Sequence, residues 1–314
     1  MHLRTLDYMN KKVQAHLALF IAQVIYAASF PIAKIVMEEI PYNVLVVLRG
    51  MGAIVLFWAS SLIINEKVER KDFGRLFVLG ICGVAINQSL FLKGLHLTSP
   101  INAAIMMIST PILVLIIASL LVKEKITLIR AIGILIGFLG AAFLVSKNAH
   151  SGNSKSGNFI GDILVFINAL SWGTYLVIVK PLMNKYHTIT ILKWVFIFGF
   201  LFIFPLGIGD ALIVDWKGIT GRVIVYAAFV IIFTTFVAYL LNTLALKELS
   251  SSIVSVYIYL QPLLTAFISI FIFQSDVITW EKATAALLIF IGVYLAGIQK
   301  KKAVGEGLEP SRGD

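Results

Sequence analysis

Several polar and aromatic side chains stand inside long apolar stretches of the chain, where lipid or protein would surround them instead of bulk water. Four of them share one helical face, because their spacings are three, four and four: Gln23, Tyr26, Phe30 and Lys34. Such a face suits a solute cavity, in which an amide orients a solute by hydrogen bonds and aromatic rings stack against it. The alternative is packing, with amides that bond between helices and rings that anchor at the membrane interface.

A second apolar stretch repeats this pattern. Asn168 and Trp172 share a face with Lys180, and Tyr175 lies one turn from Trp172. Two further stretches supply amides and hydroxyls: Asn87 and Gln88 in one, and Thr235, Tyr239 and Asn242 in the other. An amide surrounded by lipid is costly, so these side chains are expected to face a partner helix or a wet cavity.

Two prolines interrupt apolar stretches at matching places in the two halves of the chain. Pro111 follows Met106 and Thr110, and Pro262 follows Tyr257 and Gln261. A proline removes one backbone hydrogen bond and bends its helix. Paired interruptions in corresponding helices are typical of a transporter's binding site, whereas a kink used only for packing is the alternative.

Cations and acids are distributed unequally in the apolar stretches. The cations near them are Lys34, Arg49, Lys180 and Lys193, which could attract an anionic group such as a carboxylate. For Lys180 and Lys193 the pattern favours snorkelling to the interface, and for Arg49 an anchor for the adjacent loop. Proton or sodium coupling usually needs a membrane-buried carboxylate, and the sequence offers no good candidate.

No catalytic motif is present. The sequence lacks GxxxxGK[ST], HExxH and GxSxG, and its single cysteine, Cys82, excludes a disulfide within the chain and a Cys-based metal site. We therefore predict no catalytic residue, no cofactor and no metal. The net charge of +10 is scattered over short loops, which indicates membrane topology and not a nucleic-acid partner.

The elements that position these residues are predicted to be membrane helices. The chain is 59% hydrophobic and 13% charged, whereas about a quarter of residues are charged in a soluble domain. Its apolar runs approach the twenty or so residues that cross about 30 Å of hydrocarbon. Ten runs are predicted to be helices: 15–37, 43–64, 74–95, 100–121, 127–145, 159–183, 188–208, 221–245, 252–273 and 279–298. The predicted fold is an all-α membrane protein.

Two five-helix halves are predicted from a linker and from matched motifs. Residues 146–158 are rich in Gly, Ser and Asn and separate residues 1–145 from 159–298, and a polar tail follows at 299–314. The motif YAASFPIAK of the first half matches WGTYLVIVK of the second. Because five is odd, the second half must enter the membrane inverted. Inverted repeats place a binding site near the midplane and permit alternating access.

Orientation follows from lysine and arginine, which concentrate in alternate loops such as 65–75 and 123–130. Cytoplasmic loops retain positive charge, so both termini are predicted to be cytoplasmic.

The residues just described resemble the drug/metabolite transporter superfamily, specifically its EamA-type members. The likeness is carried by SFPIAKIVMEEIPYNVLVVLRG at 29–50, by residues 94–145 with their mid-helix proline and spaced glycines, and by GDILVFINALSWGTYLVIVK at 161–180. It extends over about residues 15 to 298. The resemblance implies ten helices in two repeats and transport of amino acids or other metabolites, with some relatives importing sugars or exchanging phosphorylated compounds.

The expected function is therefore export of an amino acid or similar small metabolite across a plasma membrane, the bacterial inner membrane. The expected partners are that solute and the lipid bilayer, and a homodimer is left open. One alternative is an importer or exchanger of a sugar or of an anionic metabolite, the anionic metabolite being bound by Lys34 and Arg49. Another is a membrane enzyme or lipid-handling protein. The predicted substrate-binding residues are Tyr26, Phe30, Lys34, Asn87, Gln88, Met106, Thr110, Trp172, Tyr175, Tyr239, Asn242, Tyr257 and Gln261.

Overall fold

The computed structural model describes residues 2–64, 66–98, 103, 106–123, 127–149, 159–271 and 280–297. Over these ranges the chain forms helices joined by turns, and none of these residues lies in a β-strand. The all-helical prediction is therefore confirmed for the described part of the chain. The predicted tail and most of the predicted linker lie outside it.

Five main helical elements are described in the first half. They are α1 (His2–Glu39), α2 (Tyr42–Ser61), α3 (73–97), α4 (Thr110–Leu121) and α5 (Leu128–Ala149). Within α3, a π-helical segment, Ile81–Ile86, separates Phe73–Gly80 from Asn87–Leu97. The last element continues four residues into the predicted linker, because no glycine or proline interrupts it before Gly152.

The second half follows the same plan. Its elements are α6 (Phe159–Ile178, continued by the short helix Lys180–Met183), α7 (Thr188–Ile213), α8 (221–248), α9 (251–271) and α10 (Trp280–Gly297). Within α8, the π-helical segment is Val230–Val237. Within α9, a 3-10 turn, Tyr257–Tyr259, separates Ser251–Val256 from Leu260–Phe271.

Within the described residues, six helical stretches are long and apolar enough to cross a membrane: Asn10–Glu39, Tyr42–Ser61, Arg70–Leu97, Phe159–Met183, Thr188–Ile213 and Gly221–Glu248. Large apolar side chains cover their outer surfaces; Val55, Leu201 and Val225, for example, are all exposed. Lipid is the solvent that such a surface requires. The molecule is thus a multi-pass membrane protein.

Helix packing relates the two halves. The closest neighbours include α1 with α8 and α3 with α6, α1 with α9 and α4 with α6, α2 with α7, and α5 with α10. When each helix is replaced by the helix at the same position in the other half, five numbers higher or lower, the first pair becomes the second and the third becomes the fourth. The pairs α2 with α7 and α5 with α10 become themselves. Close approach is made possible by glycines, since a Cβ on Gly94 would lie 3.0 Å from the carbonyl oxygen of Gly161 on the facing helix.

Polar contacts join the halves at both ends of the bundle. At one end Lys185 pairs with Asp72 and, at 2.7 Å, with Glu69, and the Tyr186 hydroxyl donates to Asp72 at 2.6 Å. At the other end the Asn43 amide bonds to Asp210, and Glu39 accepts from the Thr220 backbone N–H and hydroxyl at 2.8 and 2.9 Å. These clusters hold the loops of one half against those of the other.

Candidate functional site

A central cavity lies between the two halves. Its volume is about 730 Å³ when the open solvent at its mouth is counted with it. Six helices contribute to its wall, namely α1, α2, α3, α6, α8 and α9, together with Met107, which precedes α4. The lining is mainly apolar and aromatic, with a few amides and one guanidinium: Gln23, Tyr26, Ser29, Phe30, Ala33, Arg49, Asn87, Phe91, Leu92, Met107, Asn168, Trp172, Val230, Thr234, Tyr239, Asn242, Val254, Ile258 and Gln261.

The π-helical segments position the polar residues of α3 and α8. Asn87 directly follows the segment in α3, and Tyr239 follows the segment in α8 by two residues. A π-helical turn shifts the register of the helix after it, and such turns are frequent at functional sites. In α8 the Thr235 hydroxyl donates to the carbonyl oxygen of Val230, five residues back, at 2.9 Å. That bond satisfies a carbonyl within the irregular segment.

A hydrogen-bond network joins three of the helices around the cavity. The Tyr239 hydroxyl lies 2.8 Å from Oδ1 of Asn87 and 2.9 Å from the carbonyl oxygen of Gly83. The Asn168 amide donates to the carbonyl oxygen of Asn87 at 2.7 Å. The Asn242 amide instead donates within its own helix, to Ala238 at 2.9 Å. The network orients amide and hydroxyl groups that a solute could meet.

Aromatic rings form one wall of the cavity. Trp172 stacks on Tyr175 with ring centroids 5.0 Å apart, and it meets Tyr239 edge to face at 5.2 Å. Phe30 meets Phe91 edge to face at 5.3 Å. Tyr175 itself is fully buried behind Trp172, and its hydroxyl lies 3.2 Å from that of Thr243. The stack therefore holds Trp172 rigidly at the wall.

Helices α1 and α9 are joined by a buried amide pair. Nε2 of Gln261 donates to Oε1 of Gln23 at 2.8 Å, and both side chains are more than 90% buried. Gln261 lies just after the 3-10 turn in α9, and Pro262 sits in the first turn of the helix that follows. In α4 Pro111 also lies in the first turn, as the second residue of the helix, after the turn that contains Ser109. A proline fits this first turn because no backbone N–H is lost there.

The structure brings together seven of the residues predicted for the site: Tyr26, Phe30, Asn87, Trp172, Tyr239, Asn242 and Gln261. The other six do not line the cavity: Lys34, Gln88, Met106, Thr110, Tyr175 and Tyr257.

Most of these six have other contacts. The Thr110 hydroxyl donates to the carbonyl oxygen of Met107 at 2.7 Å, and the Tyr257 hydroxyl bonds to Nδ1 of His16 at 2.7 Å. Gln88 is buried away from the cavity wall, and Met106 packs into a small cluster that includes Leu95. Lys34 is half-buried on α1.

The ammonium group of Lys180 donates to the carbonyl oxygens of Leu246 and Leu249 and so caps the end of α8. The snorkelling predicted for Lys193 is wrong, because its side chain is buried, with its ammonium 5.0 Å from the ring centroid of Trp58. Arg49 was interpreted as a loop anchor, yet it lines the cavity. No group of three or more potential metal ligands occurs in the described ranges.

Replacing Gln261 by leucine is expected to lower the free energy of unfolding by about 1–2 kcal/mol, because the Gln23 oxygen loses its donor inside the bundle. The measurement is thermal unfolding of the purified protein in detergent. Gln23→Leu serves as the partner variant. The double variant should lose less than the sum of the two single losses, and strictly additive losses would contradict the pairing.

Comparison with known proteins gives a consistent picture. The family model described as the EamA-like transporter family matches residues 13–146 and again 159–298. An uncharacterized transporter of Archaeoglobus fulgidus is 28% identical over 91% of this chain and 98% of its own length. The uncharacterized transporter YyaM of Bacillus subtilis is 26% identical over 79% of this chain and 81% of its own length.

More distant similarity extends to a plant protein and to a solved structure. The WAT1-related protein At3g18200 of Arabidopsis thaliana is 24% identical over 98% of this chain and 87% of its own. A crystal structure of a protein 18% identical to this chain superimposes with a TM-score of 0.72, covering 90% of this chain and 96% of the other. At that identity the superposition establishes a shared fold alone.

Proposed function

The chain belongs to the EamA-like transporter family, and from that premise we propose that it is a secondary transporter that moves small organic solutes through the central cavity by alternating access. Its relatives are named transporters and not enzymes. The family belongs to the drug/metabolite transporter superfamily. The substrate class proposed first is an amino acid or similar metabolite, exported across the bacterial inner membrane.

The observation that carries this proposal is the cavity itself. Solute sites are concave and mostly apolar, with a few placed polar groups. Here aromatic and aliphatic side chains from both halves surround amides that hydrogen bonds hold in place, as Asn168 and Gln261 illustrate. We propose that the seven cavity residues predicted from the sequence form the binding site together with Arg49.

Two inverted five-helix repeats, 1–145 and 159–298, are proposed as the basis of alternating access. Support comes from the family model, which matches two successive segments of similar length. The packing pairs also exchange under a shift of five helices, and α3 and α8 each contain a π-helical segment. All ten helical elements are proposed to cross the membrane.

The charged cluster at Lys185 fits a gate between the halves. It connects the loop after α2 to the turn after α6, both of which the lysine and arginine pattern assigns to the cytoplasm. Hydrogen bonds from Lys185 and then Lys71 lower the pKa of Glu69, and bonds to Asp72 and then Glu69 raise the pKa of Lys185. Glu69 and Lys185 are therefore charged near neutral pH. In the proposed cycle the cluster separates when the cavity opens to the cytoplasm.

Counterflow in proteoliposomes tests transport. Vesicles loaded with a high concentration of one unlabelled solute from a panel of amino acids, sugars and nucleosides should accumulate trace labelled solute of the same kind. Empty vesicles and a family-unrelated membrane protein provide the background. Chemical change of the solute during uptake would favour a membrane enzyme instead. No accumulation of any panel member would contradict the proposal.

Topology can be tested with single cysteines on a Cys82→Ser background. Lys67→Cys lies in the loop after α2 and Lys217→Cys in the turn before α8, and both positions are exposed. If the positive loops and both termini are cytoplasmic, a membrane-impermeant maleimide should label Lys217→Cys in intact cells and Lys67→Cys only after permeabilisation. The opposite labelling pattern would reverse the proposed orientation.

A further inference from the structure

Arg49 is a buried cation that forms no ion pair with an acid among the described residues. Its side chain lines the cavity and is 6% exposed. Its Nε donates to the Thr235 hydroxyl at 2.9 Å, and no described residue accepts a hydrogen bond from either terminal nitrogen. The acids in described ion pairs, Glu69 and Asp72, are bonded to lysines at the end of the bundle. Among the lining residues, Arg49 is the one that carries a charge.

An unpaired guanidinium inside a membrane protein has a considerable energetic cost. Arginine does not deprotonate in proteins, so burial cannot neutralise it as it can a lysine. Intramembrane cations normally face a partner or a wet cavity and mark substrate pathways. The structure gives Arg49 the cavity and no acidic partner within the described residues. We therefore expect the positive charge of Arg49 to be balanced by a negative charge on a ligand in the cavity.

The local geometry orients the guanidinium toward a ligand. Thr235 belongs to the π-helical segment of α8, and its hydroxyl group donates a hydrogen bond to the carbonyl oxygen of Val230. The hydroxyl oxygen is therefore left as an acceptor for Nε of Arg49. With Nε held in this way, both terminal nitrogens remain available, and that pair of donors matches a carboxylate in a bidentate arrangement.

We propose that Arg49 binds the carboxylate of the solute, so that the substrates are small organic acids with one negative charge at that end and an apolar or aromatic body. This rests on the proposed function and narrows its substrate class. One guanidinium balances one carboxylate, whereas a doubly charged phosphate would leave a charge uncompensated in a low-dielectric cavity. Trp172, Phe30 and Phe91 supply apolar walls for the body of the solute.

Binding to the purified wild-type protein tests the proposal without any variant. The probes are 3-phenylpropionate and 3-phenylpropanamide, which share shape and differ in charge, and 2-phenylethylphosphonate as the phosphate-like arm. Calorimetry should find the acid bound at least about tenfold more tightly than the amide, and more tightly than the phosphonate. Equal binding of acid and amide, or no binding of the acid, would overturn the proposal, and tighter binding of the phosphonate would overturn the choice of a carboxylate.

Two variants separate binding from structure. Arg49→Gln should bind acid and amide equally, and Arg49→Lys should keep part of the preference. Lys193→Gln removes another buried cation that lies outside the cavity, so it should keep the wild-type preference. Because Arg49 pairs with no acid in the described part of the chain, Arg49→Gln should melt at the wild-type temperature or above. A lower melting temperature with an intact preference for the acid would instead assign Arg49 to structure.

The outcome is distinguishable from that of the transport proposal. Counterflow of neutral solutes by the wild-type protein, with no preference for acids in binding, would leave transport standing and reject the role of Arg49. A preference for the acid that Arg49→Gln abolishes, with no counterflow of any solute, would support the carboxylate site and reject transport.

Discussion

Replacing Gly199 by valine is expected to destabilise the protein by about 3 kcal/mol or more, because α3 and α7 touch at this residue. A Cβ on Gly199 would lie 2.7 Å from the carbonyl oxygen of Gly80 and 2.5 Å from Cβ of Val84. The oxygen belongs to backbone, which cannot turn away as a flexible side chain could. Valine therefore forces the two helices apart and loosens the contacts on both sides of the crossing.

Gly209→Val is the matched control, since it lies on the same helix and a Cβ there meets nothing within 4 Å. That substitution should leave the free energy of unfolding unchanged or raise it by a few tenths of a kcal/mol, because valine is the better helix former. The measurement is thermal unfolding in detergent, supported by the yield of monodisperse protein. Equal effects of the two substitutions would contradict the close crossing of α3 and α7.

The helical elements were predictable because apolar runs of membrane length have few other stable structures. The predicted and observed helix bounds differ where a helix continues beyond the apolar run or ends within it. Helix α1 begins at His2, well before the apolar run, because polar residues can continue a helix outside the hydrocarbon. The predicted helix 100–121 is interrupted near Ser109, and the proline that was expected to bend it starts a new helix instead.

The site was predictable only in part, because periodicity identifies residues that share a helical face but not the neighbour that the face meets. Tyr257 was placed in the site, yet its hydroxyl meets His16 on α1. The π-helical segments add a second difficulty, since the change of register rotates the residues after the segment around the helix axis. After the segment in α3, Asn87 lines the cavity, whereas Gln88, the next residue in the sequence, does not.

Arg49 was missed as a principal site residue for a different reason. Its distance from the end of α2 suggested an anchor for the adjacent loop, and nothing in the sequence reveals that α8 stands opposite it. The hydroxyl of Thr235 that binds it belongs to the other half of the chain. Two features of the sequence could have indicated the role of Arg49. A buried arginine is costly, and the apolar stretches contain no acidic residue that could pair with it.

The central claim, that solute passes through this cavity, is tested most directly by closing the cavity with a covalent group. Ser29 lines the cavity on α1, and its hydroxyl donates to the carbonyl oxygen of Tyr26 at 2.7 Å. Ser29→Cys on a Cys82→Ser background is nearly isosteric and adds a single thiol. The thiol is modified with a methanethiosulfonate reagent in proteoliposomes, and mass spectrometry measures the extent of modification.

We expect counterflow to fall in proportion to the modified fraction, and by at least about tenfold at full modification, because the added group occupies the volume that the solute needs. Counterflow should return when a thiol reductant removes the group. Lys217→Cys, modified in the same way on the exposed turn before α8, should transport at the unmodified rate. Full modification of Ser29→Cys with undiminished counterflow would contradict passage through the cavity.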